Sequence, residues 1–157
     1  MTNTNNCVID DCHARYITQW TIINEQDMDY TTDKTTAEYG ICIKGNNNTV
    51  RRSSVEHSAM SGFKVYGDGN LIDDCIVSNC NTVGSYEGGI LLGADQTGHN
   101  VASHNSIYNM GHEGISFSAS ALATTATSQK FLYNDVYNCQ MLCNDGGTFY
   151  FCCGDNG

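Results

Sequence analysis

One motif recurs four times in this chain, and it restricts the fold more than any other feature. Each copy has a short apolar strand opened by a polar residue, a second strand, a variable loop, and then Gly with an apolar residue after it. Asn48-Thr49-Val50 is followed by Ser54-Val55-Glu56-His57 and by Gly62-Phe63-Lys64-Val65. Asn70-Leu71-Ile72 leads to Ile76-Val77-Ser78-Asn79 and to Gly89-Ile90-Leu91-Leu92. Asn100-Val101-Ala102 leads to Ser106-Ile107-Tyr108-Asn109 and to Gly114-Ile115-Ser116-Phe117. Lys130-Phe131-Leu132 leads to Asp135-Val136-Tyr137-Asn138 and to Gly147-Thr148-Phe149-Tyr150. A looser first copy runs from Cys7-Val8-Ile9 and closes at Gly40-Ile41-Cys42-Ile43.

The equivalent residues Val55, Val77, Ile107 and Val136 are spaced by 22, 30 and 29 residues. A period near 22 with insertions fits three short strands and three turns per coil. It is too short for paired-helix repeats. Within the strands apolar and polar residues alternate, as half-buried strands require. The frame predicts an all-β chain, a right-handed parallel β-helix of about five coils, with residues 1–157 forming a single domain. At about 4.8 Å per rung the solenoid is roughly 24 Å long. Asn at equivalent turns should stack in ladders that satisfy turn backbone groups. The Gly before each third strand is expected to supply positive φ. A leucine-rich solenoid lacks its Leu-x-x-Leu-x-Leu frame here.

Composition narrows the partners. Seven Lys and Arg stand against 17 Asp and Glu, a formal charge of −10. That balance argues against nucleic acid, whose phosphates need cations, and against anionic membranes. No apolar run is long enough for a transmembrane helix. The opening residues lack the basic flank and apolar core of a signal peptide. The ends of the sequence lack capping elements, so it reads as a fragment truncated at both ends, of a protein expected to be secreted.

Nine cysteines occur without a zinc-finger arrangement of His. Most are expected to be small buried hydrophobes. Cys7/Cys12, Cys75/Cys80 and Cys139/Cys143 are spaced so that they could pair under oxidising conditions.

Insertions in solenoids form loops, often on the binding face. Two matter here, 21–39 and 81–88, both just before the Gly of a third strand. Counting back two residues from that Gly gives Glu38, Met60, Glu87, His112 and Asp145. Glu87, His112 and Asp145 are therefore expected as a column on successive rungs, with Glu87 and Asp145 about 9.6 Å apart. That is the upper limit of the carboxylate separation used by inverting glycosidases, about 6.5–9.5 Å. Glu87, His112 and Asp145 are the candidate catalytic residues. Glu113, Tyr86, Asn144 and Glu38 flank them as candidate substrate contacts. Glu87, Glu113 and Asp145 could instead gather a hard cation such as calcium, although no cofactor or metal is required. His13, His57, His99 and His104 share no column and read as structural or surface residues. Tyr66, Tyr86, Tyr108, Tyr137 and Tyr150 fit either sugar stacking or ladders of their own.

Residues 40–157 resemble the right-handed parallel β-helix repeat proteins found among carbohydrate-active enzymes. Asn134-Asp135-Val136-Tyr137-Asn138 and Asn144-Asp145-Gly146-Gly147-Thr148-Phe149-Tyr150 are similar to a segment of β-helix glycoside hydrolases, including xylosidase- and fucosidase-like families. His112-Glu113-Gly114-Ile115 resembles the His-x-Gly-Ile preceding it there. The resemblance implies a catalytic carboxylate at or near Asp145, with its partner on a later coil. Thr148 and Phe149 depart from the usual Ala-Ile. The expected function is hydrolysis of glycosidic bonds in plant or algal polysaccharide, with a polysaccharide or oligosaccharide as partner. A polysaccharide lyase or epimerase is the enzymatic alternative, and a non-catalytic glycan-binding or structural β-helix the other.

Overall fold

The computed structural model describes residues 4–17, 39–85, 87–92, 98–118 and 128–152. Every regular element among them is a strand. The strands are β1 (Val8–Asp10), β2 (His13–Arg15), β3 (Tyr39–Lys44), β4 (Thr49–Arg51), β5 (Ser54–Glu56), β6 (Ser61–Tyr66), β7 (Leu71–Asp73) and β8 (Ile76–Ser78). They continue with β9 (Ile90–Leu92), β10 (Val101–Ser103), β11 (Ser106–Tyr108), β12 (Ile115–Ser118), β13 (Lys130–Leu132), β14 (Asp135–Tyr137) and β15 (Phe149–Cys152). They form three five-stranded sheets, β1-β4-β7-β10-β13, β2-β5-β8-β11-β14 and β3-β6-β9-β12-β15. All pairings are parallel. Three consecutive strands make one coil of a parallel β-helix, and five coils are stacked.

The register explains the alternation in the sequence. In the first sheet Ile9, Val50, Ile72, Ala102 and Phe131 lie in one column. In the second, Ala14, Val55, Val77, Ile107 and Val136 do the same. In the third, Ile41, Phe63, Ile90, Ile115 and Phe149 align. These columns meet in the core, where Val50, Val55, Phe63, Ile72, Val77, Ile90, Ile107 and Ile115 are fully buried. A one-residue slip would turn each column to solvent, so burial fixes the register.

Two inner ladders run up the corners. Asn48 donates its backbone and side-chain N–H to Oδ1 of Asn70 at 2.9 and 3.0 Å. Asn70 does the same to Asn100 at 2.8 and 3.1 Å, and the Asn100 amide ends on Gln129. At the next corner Asn105 bonds Asn134 in this way, while Ser53 and Asn105 accept from the backbone of Cys12 and Cys75. The residues at the outer bends take left-handed φ without being glycine: Asp11, Arg52, Asp74, His104 and Tyr133 at one corner, and Tyr16, His57, Asn79, Asn109 and Asn138 at another.

The glycines before the third strands serve a different purpose from the one expected. Positive φ occurs at Gly45, Gly67, Gly69, Gly84 and Gly146, and not at Gly40, Gly62, Gly89 or Gly114. Instead, these four pack against the next coil. A Cβ on Gly89 would stand 2.8 Å from Ile107 Cγ2 and 2.9 Å from the Gly114 carbonyl. Gly62 faces Val77, Gly40 faces Val55 and Gly114 faces Val136 in the same way. The glycine is required by a Val or Ile one coil on.

Cysteines 7, 12, 42, 75, 80, 139 and 143 are free thiols. Four of them cap a strand end, donating to the carbonyl two residues back, Cys12 to Asp10, Cys75 to Asp73, Cys80 to Ser78 and Cys139 to Tyr137, and Cys7 makes the same bond to Asn5 ahead of β1. Burial pushes the thiols of Cys75, Cys80 and Cys139 up to about 11.

Candidate active site

The third sheet has an outward column as well as inward ones. Cys42, Lys64, Leu91, Ser116 and Tyr150 occupy it on successive coils. Outward positions on a solenoid normally meet solvent, yet Lys64, Leu91 and Ser116 are all buried. The residues leading into the strands of this sheet are buried with them: Glu87 is 6 % exposed, His112 1 % and Glu113 2 %. A cluster of ionisable side chains is thus held out of water on the outside of the coil.

Its bonds are specific. Lys64 Nζ lies 2.7 Å from Glu87 Oε1, an ion pair spanning coils two and three. The other oxygen of Glu87, Oε2, is buried and has no hydrogen-bond partner among the described residues. The Gly88 N–H donates to Ser116 Oγ at 3.1 Å, and the Ser116 hydroxyl bonds the Glu113 carboxyl. His112 Nδ1 stands 3.5 Å from Glu113 Oε1.

Burial is the largest influence on Glu113 and pushes its pKa from 4.5 up to about 7. Ser116 opposes the shift, while the charges of Glu87 and Asp145 add to it. Burial lowers the pKa of His112, which favours neutral imidazole, against the opposing pull of Asp145. A carboxyl group stabilised as the acid near neutral pH is a recurrent mark of functional sites.

The predicted column is only partly formed. Ile115 pairs with Ile90 and with Phe149, so continuing the register backwards sets Glu87, His112 and Gly146 in one column. A Cβ on Gly146 would lie 2.8 Å from His112 Cε1, which places that glycine against the His112 ring. Asp145 falls one residue short of the column. The cause lies in the fifth coil, where Phe149 turns inward to pair with Ile115 and Thr148 takes the position that Gly114 holds on coil four. The extra residue is absorbed at Gly146, whose φ of +115° suits only glycine.

The remaining predicted residues divide. Asn144 and Asp145 are exposed on coil five, and Asp145 is close enough for its charge to act on both His112 and Glu113. Glu113, expected as a flanking contact, is the perturbed acid at the centre. Tyr86 and Glu38 lie outside the described residues. Of the three carboxylates expected to gather a cation, Glu87 is held by Lys64 and Glu113 by Ser116, and no group of three or more His, Cys, Asp or Glu among the described residues is placed to hold a metal ion.

Lys64 and Ser116 belong to the site and were not expected there. The signal was present in the alternation, since both occupy outward positions of Gly-initiated strands. Counting backbone positions ignores the reach of a Lys side chain, which here extends one rung. Elsewhere, Tyr108 and Tyr137 stack on each other at 5.2 Å with 6° between planes, and Lys44 lies over the Tyr66 ring. His57 stacks on Tyr16 and His104 on Tyr133, while His99 pairs with Asp68 and His13 bonds Ser54.

A family model described as a right handed beta helix region matches residues 1–156. The chain belongs to the right-handed β-helix family. No curated protein matches it, and no solved structure does. Membership of the right-handed β-helix family fixes the coil and its sheets, and leaves the chemistry to the residues on the third sheet.

Proposed function

We propose that this right-handed β-helix is a carbohydrate-active module that hydrolyses glycosidic bonds in plant or algal polysaccharide, with Glu113 as general acid and Asp145 as the companion carboxylate. One observation carries the reading. A buried carboxyl group whose pKa burial raises to about 7 sits one coil from an exposed carboxylate that acts on it electrostatically. Glycoside hydrolysis uses two carboxyl groups in different environments, one to protonate the leaving oxygen and one to activate water or attack the sugar. Neutral His112 and exposed Asn144 would orient the sugar. Glu87, tied to Lys64, is a binding group in this scheme and not an acid. Export to a compartment containing polysaccharide is part of the proposal.

The burial of Glu87, His112 and Glu113 favours a second reading, a β-helix that binds glycans at Asn144 and Asp145 without cleaving them. The two are separated by incubating the protein with a panel of polysaccharides and recording reducing ends together with the absorbance of unsaturated uronates. Reducing ends without unsaturation, lost in both Glu113→Gln and Asp145→Asn, support hydrolysis. Unsaturated products indicate a lyase. Retained glycan binding without any product leaves the binding module.

A further inference from the structure

We infer that Ser116 is a positioning residue for Glu113, and that the loop leading into β9 aims its hydroxyl. The inference rests on the reading of Glu113 as the acid and adds the groups that govern it. It starts from one peptide unit, Glu87–Gly88. The N–H of that unit donates to Ser116 Oγ on the next coil at 3.1 Å. Its carbonyl, which a planar trans peptide directs the opposite way, accepts from Asn81 Nδ2 at 2.6 Å. Buried Asn81 also donates to the Ser85 carbonyl at 2.7 Å and accepts from the Ser85 N–H at 2.8 Å, which closes the loop. The peptide plane is held at both ends, and hydrogen bonds in such a chain polarise one another.

Gly88 suits this place by its size. A Cβ there would stand 2.5 Å from Ser116 Oγ and 2.9 Å from the Ser116 backbone nitrogen. The approach that brings the N–H onto the hydroxyl leaves no room for a side chain. With its oxygen accepting from Gly88, the hydroxyl directs its own proton to the Glu113 carboxyl that it bonds. Both side chains are buried, so water does not compete for that proton. Around Glu113 stand Glu87, itself paired with Lys64, His112 at 3.5 Å and Asp145 on coil five. Burial and the charges of Glu87 and Asp145 favour the acid form, whereas Ser116 favours the carboxylate. A donor aimed at the carboxylate keeps a buried acid able to release its proton.

The test follows the Glu113 carboxyl of the whole chain by carbon-13 NMR titration. Ser116→Ala should raise the midpoint by about half a unit or more, and Ser116→Thr, which keeps the hydroxyl, should hold the wild-type value. Gly88→Ala should raise the midpoint without removing the hydroxyl, and should add little to Ser116→Ala when the two are combined. In the wild type the Gly88 amide resonance should titrate with the Glu113 midpoint, a readout that does not depend on the variants folding. A midpoint unmoved by Ser116→Ala and by Gly88→Ala, or a Gly88 amide that does not titrate with Glu113, overturns the inference. Where reducing ends are released, the alkaline limb of kcat/KM should move with the midpoint in Ser116→Ala. A moved midpoint in a protein that releases none supports the positioning of Glu113 and overturns the hydrolase reading alone.

Discussion

Replacing Asn70 by Ala tests whether the inner ladder stabilises the coil. The Asn70 side chain accepts from the Asn48 backbone N–H at 2.9 Å and donates to the Gly45 carbonyl at 2.9 Å. Asn48 Nδ2 keeps Thr4, and Asn100 Oδ1 keeps the Asn70 backbone N–H, so neither is stranded. The Asn48 N–H and the Gly45 carbonyl therefore lose these partners in the variant, and the Tyr66 carbonyl loses a longer bond at 3.3 Å. At about 1–3 kcal/mol for each of the two shorter bonds, the cost is about 2–6 kcal/mol. For a chain of this size that lowers Tm by roughly 5–15 °C. The control is Asn109→Gly in the outer ladder, which removes side-chain bonds at 3.1 and 3.3 Å while keeping a residue that accepts its φ of +56°. It should cost less than about 1 kcal/mol, because water replaces those bonds. Urea unfolding of the two variants against wild type measures both. Equal losses, or a loss below about 1 kcal/mol for Asn70→Ala, would refute the reasoning.

Other perturbations have defined outcomes. Lys64→Met should destabilise by about 3–5 kcal/mol by leaving a buried carboxylate unpaired, and adding Glu87→Leu should recover most of that in thermal melts. Because the pKa of Glu113 is raised from 4.5 to about 7, the folded state binds the extra proton. Its stabilising contribution is therefore complete below pH 4.5 and is lost as pH rises through about 7, a change of about 3 kcal/mol. Glu113→Gln should flatten that slope in urea titrations across the same window. Gly89→Ala should cost about 1–3 kcal/mol by overpacking against Ile107, whereas Thr148→Gly should change stability little, as compared by melting temperature. A thiol reagent at pH 8 should label exposed Cys12 rapidly, and Cys75 and Cys80 only on unfolding, because burial holds both near 11.

The coil was legible in the sequence because a solenoid repeats its constraints. Val55, Val77, Ile107 and Val136 recur at one position since each faces the same core, and Asn48, Asn70 and Asn100 recur since each bonds the next. The site was less legible for the opposite reason: its residues differ from coil to coil. Glu113 was identified only as a neighbour, because its importance arises from burial on an outward face, which alternation does not reveal. Lys64 was missed because its ammonium acts one rung from its backbone. Asp145 falls outside the column because Thr148, and not Gly147, is the equivalent of Gly114. The actual constraint is the Val or Ile of the following coil, and the register puts Thr148 opposite Gly114.

The central claim is that Glu113 is a carboxylic acid near neutral pH beside the exposed Asp145. A carbon-13 NMR titration of the Glu113 side-chain carboxyl tests it in the folded protein. The account predicts a midpoint near 7 that falls in Asp145→Asn, where a neighbouring negative charge is removed. A midpoint near the ordinary 4.5, unchanged by that substitution, would contradict it.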